Sequence, residues 1–391
     1  MKARPLRYTF ILGLAASLGA QIAPAAETRF DLEHGLRLRS DDRRWQLDID
    51  ARVHYDAARF NSDVTPLADD EGLRRARLGL GLEFADRLAA RVDYEFGKVS
   101  PGWKNVWLQY GLTENLTLRA GNQTVPFGLD ESASSDSLMF MERALPNALA
   151  PGILQGALLR VQGKHWSAST GLFGNDIGDE DTRKMKGHSA IARLAYAPVN
   201  EDRSTFHVGA SFEYRDASPG ASVRYRTRPE VAVTSVRLID TGTIAGVANL
   251  QTMEADLAWA PGPFTLQFEA LRSSISRDLA GDLGFQGVNG AVSFVLTGER
   301  RPYRVGTGSF GSIRPRHKWG AIELAGRYSH LDLTDGSIAG GTEDNVTVAL
   351  NWYWTRGSRL ALDYVKVRAK PNRLGVDESP DVVSLRLQLG F

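Results

Sequence analysis

Hydrophobic and polar residues alternate one by one along most of this chain. The clearest case runs from Leu73 to Phe96. Ala76, Leu78, Leu80, Leu82 and Phe84 fall on one face of an extended strand, with Arg75, Arg77, Gly79, Gly81 and Glu83 on the other. After Ala85-Asp86-Arg87 the pattern resumes, Leu88, Ala90, Val92, Tyr94 and Phe96 alternating with Ala89, Arg91, Asp93 and Glu95. This predicts a long antiparallel hairpin with a tight turn. In a soluble sandwich, charge would crowd the outer face of nearly every strand. A closed barrel in lipid instead turns the apolar residues outward and the charged and small ones inward.

The same rule predicts sixteen strands, near 45–57, 73–84, 87–97, 103–112, 115–123, 154–163, 165–174, 187–197, 204–215, 252–260, 264–274, 287–297, 319–331, 344–355, 359–368 and 381–391. Connections alternate between short turns and longer loops, as in an outer-membrane barrel with short periplasmic turns and long extracellular loops. The expected fold is therefore all-β, a 16-stranded antiparallel transmembrane β-barrel. Residues 1–26 read as a signal peptide, with Lys2, Arg4 and Arg7 before an apolar run and small residues at Ala23-Pro24-Ala25. Residues 27–44 read as a short periplasmic segment whose alternating stretch, Phe30–Arg39, stays outside the even count, leaving 45–391 as the barrel. Val383, Leu385, Leu387, Leu389 and Phe391 end the chain on one face, like the assembly signal of bacterial outer-membrane barrels. Trp352, Trp354 and Tyr364 suit an interfacial aromatic belt or a buried sheet.

Three connections break the pattern. Thr124–Ile153 carries Phe127, Leu138, Met139, Phe140 and Met141, which a solvated loop does not need; this predicts a third loop folded into the barrel. Asp216–Gln251 holds Arg224, Arg226, Arg228 and Arg237. Gly298–Lys318 falls where a short turn is expected, yet is long and basic, which suits either an exit funnel or a solvated turn.

Composition narrows the chemistry. Charged residues make up 24% of the chain and cysteine is absent, which excludes disulfides and thiolate sites. Net charge is +1, so any anion preference must come from where the 47 Lys and Arg sit. The seven histidines lie in no metal-binding spacing, and the glycines lack the strand-to-helix context of a nucleotide loop. No cofactor, metal or nucleic-acid partner is expected, and no enzyme activity. A barrel hydrolase is a remote alternative, since no histidine sits in a nucleophile motif. Asp176, Asp179, Glu180 and Asp181 form an acidic cluster expected to be solvated.

The motifs RRARLGL (74–80), RVDYEF (91–96), AGNQTVPFGLDESASSDSLMFMERALP (120–146), RYRTRPE with RLIDTG (224–242), LTGERRPY (296–303) and IELAGRYSHLDL (322–333) resemble the phosphate-selective porin O and P family of Gram-negative outer membranes. The resemblance implies a homotrimer in outer-membrane lipid and lipopolysaccharide, and an arginine-lined pore for phosphate or other small anions, narrowed by the infolded third loop.

A pore must attract an anion, replace part of its hydration and release it. Arginine stays charged and presents forked donors to oxyanions. Arg224, Arg226 and Arg228, spaced by two, stack on one face of an extended segment as a ladder, or form an exposed basic loop. Arg75, Arg77, Arg91 and Asp93 share the inner face of adjacent strands, as an anion site or a bracing ion lattice. By resemblance, Ser134, Ser135 and Arg143 supply donors at the constriction, and Arg237 joins the basic loop. Family members with tight phosphate selectivity have a lysine beside these serines, where this chain has Asp136. That carboxylate favours a general small-solute porin as the alternative function.

Overall fold

The protein was analysed as a computed structural model that describes residues 26–31, 35–178 and 185–391. The signal segment up to residue 25, and Asp179, Glu180 and Asp181, lie outside the described residues.

The chain opens with a hairpin of β1 (Ala26–Asp31) and β2 (Gly35–Ser40). The barrel begins with β3 (Trp45–Asn61), β4 (Asp70–Phe84), β5 (Leu88–Glu95), β6 (Gly102–Gly111), β7 (Leu116–Thr124) and β8 (Ile153–Gln162). It continues through β9 (Trp166–Phe173), β10 (Gly187–Glu201), β11 (Ser204–Ala217), β12 (Val247–Pro261), β13 (Phe264–Arg277) and β14 (Leu283–Val295). A two-residue pair, β15 (Tyr303–Arg304) and β16 (Ser309–Phe310), precedes β17 (Ala321–Asp335), β18 (Ile338–Tyr353), β19 (Arg359–Ala369) and β20 (Asp381–Gly390). All neighbours run antiparallel, and β20 closes on β3 from Asp381↔Asn61 to Gly390↔Arg52. The main sheet has 18 strands because the β1–β2 hairpin joins it, leaving sixteen in the closed wall as the alternation predicts. Beyond the end of β20, Leu36–Arg39 of β2 pair with Gln46–Ile49 of β3, so the hairpin prolongs the short-turn rim.

The pleat sorts the side chains. On β4, Leu78, Leu80, Leu82 and Phe84 point outward and are 41–45% exposed, the position of lipid-facing residues. Trp352, Trp354 and Tyr364 are also on the outer face. Ala85 and Asp86 both have positive φ (49° and 56°), a pair of left-handed residues whose twist suits the tight β4–β5 hairpin.

Two long segments enter the lumen from opposite ends. The third loop, residues 125–152 between β7 and β8, lies against the wall formed by β12–β14 and β17–β20. Met139 and Phe140 pack on Ala291, Ala325 and Ala349, and Leu129 on Ala258, Ala260 and Phe310. Small wall residues leave room for the large loop residues. The backbone of this loop is held by arginines. Arg301 donates to the Ser137 carbonyl (2.7 Å), Arg359 to Leu138 (2.7 Å) and Arg327 to Glu142 (2.9 Å). Arg386 donates to the Met141 carbonyl and pairs with Asp56 through both guanidinium branches (2.7 and 2.6 Å).

The second segment, 296–320, comes from the short-turn end, and it corrects the choice between exit funnel and solvated turn. Its middle folds inward: Arg301 is buried between Glu323 (2.7 Å) and Tyr353 (3.1 Å), and Ser312 donates to the Asp136 carbonyl (3.0 Å). Arg304, Arg314, Arg316 and Lys318 remain exposed. At the loop end, Val223, Tyr225, Ile239 and Ile244 pack with Phe127, Leu145 and Leu149, so the loop carrying Arg224 and Arg226 also covers the third loop.

Candidate functional site

Because the third loop leans on one wall, it leaves a gap along the other. There the structure has a cavity of about 530 Å³ between the loop and the inner faces of β3–β8. Ten cationic side chains line it (Arg52, Arg74, Arg75, Arg77, Arg91, Lys104, Arg119, Arg143, Arg160 and Arg304), against three acidic ones, Asp93, Glu95 and Glu131. Simple alternation does not supply all of them. Opposite His54–Tyr55 the register skips from Arg75 to Leu73, a bulge that lets Arg74 and Arg75 both reach the lumen. A second skip, between Val92 and Tyr94 on β5, brings both Lys104 and Asn105 of β6 to the cavity.

Some of this charge is compensated within the wall. Arg91 pairs with Asp50 (2.5 Å) and Asp93 (2.5 Å), and Asp93 also accepts from Asn105 (2.6 Å). A Cβ at Gly79 would stand 2.2 Å from the Arg91 guanidinium, so glycine there makes room for the lattice. Arg75 and Arg77 share Glu95 at 3.7 and 3.3 Å, and Arg74 is held by Glu142 at 2.8 Å. Other cations lack such a partner. Arg119 donates only to Gln109 (3.0 and 2.7 Å) and lies over the Trp107 ring (4.0 Å); Arg160 donates to Ser169 (3.2 Å) and Lys104 to Ser100 (3.0 Å). Among the described residues, none of these three, nor Arg304, has a carboxylate within ion-pair distance.

The third loop faces this wall with Ser134, Ser135 and Arg143. Arg52 and Arg75 donate to Ser135 (3.2 and 3.0 Å), which leaves the serine hydroxyl hydrogen available to a solute. Arg143 donates to the carbonyls of Asp130 (2.8 Å) and Ala133 (2.9 Å) and stands 3.5 Å from Glu131.

Asp136 is not where the sequence suggested. It is absent from the cavity lining and is drawn into the wall by Arg52 (3.0 Å) and His54 (3.1 Å). Burial pushes its carboxyl up, but Arg52 and His54 outweigh burial and hold it below the ordinary range. Glu142 behaves alike: burial raises it, and Arg74 and Arg386 hold it well below.

The predicted residues thus divide. Arg75, Arg77, Arg91, Asp93, Ser134, Ser135 and Arg143 meet at this cavity. Arg224 and Arg226 line a separate one of about 230 Å³ toward the loop end, with Glu131 shared between the two cavities. The expected three-arginine row stops at Arg226. Val223 and Arg226 bridge to Ile244 and Asp240, after which the chain leaves extended geometry, with φ 56° at Glu230. Arg224 is paired with Asp240 (2.7 and 2.5 Å), Arg228 turns back to the Thr234 carbonyl (2.7 Å), and half-buried Arg237 donates to the Ser235 carbonyl (2.5 Å). Lining residues missed from the sequence are Arg52, Arg74, Lys104, Arg119, Arg160 and Arg304. The alternation already turned Arg52, Arg119 and Arg160 inward, whereas Arg74 and Lys104 depend on bulges.

The sequence model of the phosphate-selective porin O and P family matches residues 47–391, the whole barrel. The chain belongs to this family. It is an outer-membrane porin. It is 25% identical to Porin O of Pseudomonas aeruginosa, over 96% of this chain and 95% of that protein. An uncharacterized protein of Caulobacter vibrioides is 27% identical, over 82% and 68% of the two chains. Solved barrels of like fold include an anion-selective porin from Comamonas acidovorans (TM-score 0.55, 13% identity, covering 89% of this chain and 100% of that one). A loop-deleted form of OmpT, an outer membrane protein of Vibrio cholerae, superposes with a TM-score of 0.58 at 10% identity, over 89% and 100%.

Proposed function

We propose that this porin passes anions by passive diffusion, with phosphate or a related small oxyanion as its preferred solute, and that it works as a homotrimer in outer-membrane lipid and lipopolysaccharide. The observation that carries the reading is the ten-to-three excess of cationic over acidic side chains around the main cavity. A cleft of one sign between low-dielectric walls concentrates counter-ions far beyond what a net charge of +1 implies. Arg224 and Arg226 start the path at the loop end. Arg75, Arg77, Ser134, Ser135 and Arg143 take the anion at the narrowing, and Arg91 with Asp93 sets its exit. Arg228 and Arg237 have no part in this path.

The paired carboxylates matter as much as the arginines. Glu95 is shared by two guanidiniums and Asp93 is tied to Arg91, so an anion meets cations already partly compensated and is not held too firmly to leave. Phosphate as the favoured anion is supported by the family's description and by the forked donors on both sides of the cavity. The homotrimer is supported by the trimer form of a like-folded outer membrane protein of Vibrio cholerae.

The test is the reversal potential of single channels in a planar bilayer under a potassium chloride gradient, repeated while phosphate is added. Strong anion selectivity with chloride current blocked by low phosphate is expected. Weak selectivity without block would move the function to a general small-solute porin.

A further inference from the structure

Of the four cavity cations without a carboxylate partner among the described residues, three gather at one end, and Lys104 stands apart from them. Arg119 and Arg160 lie on the adjacent strands β7 and β8, three and two residues inside their short-turn ends, and Arg304 reaches the same cavity from the inward-folded segment 296–320. The carboxylates Asp93 and Glu95 pair instead with Arg75, Arg77 and Arg91. This cluster also contains a feature that a bare tetrahedral anion does not use. The Arg119 guanidinium lies over the Trp107 indole, its central carbon 4.0 Å from the ring centroid, and its Nε and Nη2 both donate to Gln109. The group is therefore held against the indole with part of its edge occupied. Since Arg119 also lines the cavity, what it offers a solute is its remaining face and one N–H branch.

A guanidinium set over an indole, beside two further guanidiniums without a carboxylate partner among the described residues, matches a solute with a flat ring and an anionic head. We propose that this lower part of the cavity is a binding site for aromatic carboxylates, the ring stacking on the Arg119–Trp107 pair and the carboxylate bonding Arg160 and Arg304. Ring-on-guanidinium stacking adds to the charge attraction without requiring more charge. Thr307 and Ser309, also in the lining, bond each other (2.8 Å) and leave one hydroxyl hydrogen for the head group. The site deepens the anion-pore reading and depends on it.

The experiment compares sodium benzoate with sodium acetate, which carries the same head group without a ring, as blockers of single-channel chloride current. In the wild-type channel benzoate should halve the current at a concentration about fivefold below that of acetate, the gain from one partly desolvated stacking contact. Trp107→Leu removes the platform, and Arg119→Lys keeps the charge but loses the planar group; in each the ratio should fall close to one. Equal half-blocking concentrations in the wild type overturn the proposal, as does a ratio that survives in either variant. The chloride reversal potential separates the two readings. A pore that is not anion-selective defeats the general reading, whereas a selective pore that treats benzoate and acetate alike defeats only the aromatic site.

Discussion

Arginines line both halves of this barrel on the inner face, yet the two halves use them differently. On β3–β8 they border open space. On β17–β20 and the inward turn, Arg301, Arg327, Arg359 and Arg386 are at most 6% exposed and are consumed by carboxylates and by the carbonyls of the third loop. Residue type and strand position are the same; what differs is whether the loop covers them. An inward arginine is thus part of the pore or part of the scaffold according to which wall the loop rests on, and the loop's choice follows from packing. Met139 and Phe140 find alanines on β14, β17 and β18, whereas β3 and β5 present an ion lattice to the lumen.

Moving charge on each wall should sharpen the contrast. The largest effect is expected from Arg386→Leu on the covered wall. It strips Asp56 and Glu142 of a buried cation and orphans the Met141 carbonyl, a loss of about 3–5 kcal/mol. The folded band on an unheated gel should convert at lower temperature, and single channels should be larger and noisier as the third loop loosens. On the open wall, Arg75→Ala and Arg77→Ala together should cost less stability than Arg386→Leu, since Glu95 keeps the Ala76 and Gly97 amides and no loop carbonyl is orphaned, and should lower the anion-to-cation permeability ratio. At separations near 7 Å in water, each charge contributes about threefold, which the reversal potential will register. Equal loss of stability on both walls would remove the distinction.

Smaller effects follow at the margins. Asp136→Asn should release Arg52 and raise anion selectivity by less than the double arginine change lowers it. Asp136 and Glu142 are held below their ordinary range, so the stability they add is present above the unfolded carboxylate pKa of about 4 and is lost only as pH falls through the folded values. These two carboxylates should therefore cause no change in conductance between pH 8 and 5, and any loosening of the loop that they cause is confined to stronger acid; a change near pH 6 would point to a different group. Arg237→Ala, at a residue that lines neither cavity, should leave selectivity where it was.

Much of the wall was readable from alternation because one face meets lipid and the other does not. The sixteen strands, the tight turn at Ala85-Asp86 and the inward direction of Arg75, Arg77 and Arg91 all follow from period two. Bulges were not readable: the extra residue at Arg74–Arg75 looks like a lapse in the pattern and is the reason two guanidiniums stand together. Alternation also says which way a side chain points and nothing about what lies over it. That is why Arg359 and Arg386 resemble pore residues in sequence, and why the run from Arg224 to Arg228 read as a ladder when the chain turns after Arg226. Asp136 looked like a charge facing the solute because the family resemblance sets it beside the constriction serines, and the pull of Arg52 and His54 has no mark in the local sequence. The inward fold of 296–320 was visible only as excess length and charge, since its buried and exposed arginines share one short stretch.

The grip on the third loop has a consequence for how such a channel changes over generations. Four arginines hold it at the carbonyl oxygens of Ser137, Leu138, Met141 and Glu142, atoms that every residue type carries. Side chains such as those of Ser134 and Ser135 can therefore be replaced while the clasp persists. A lineage can explore new solutes by altering the loop's inner surface, one substitution at a time, without first having to invent another way of keeping the loop in place.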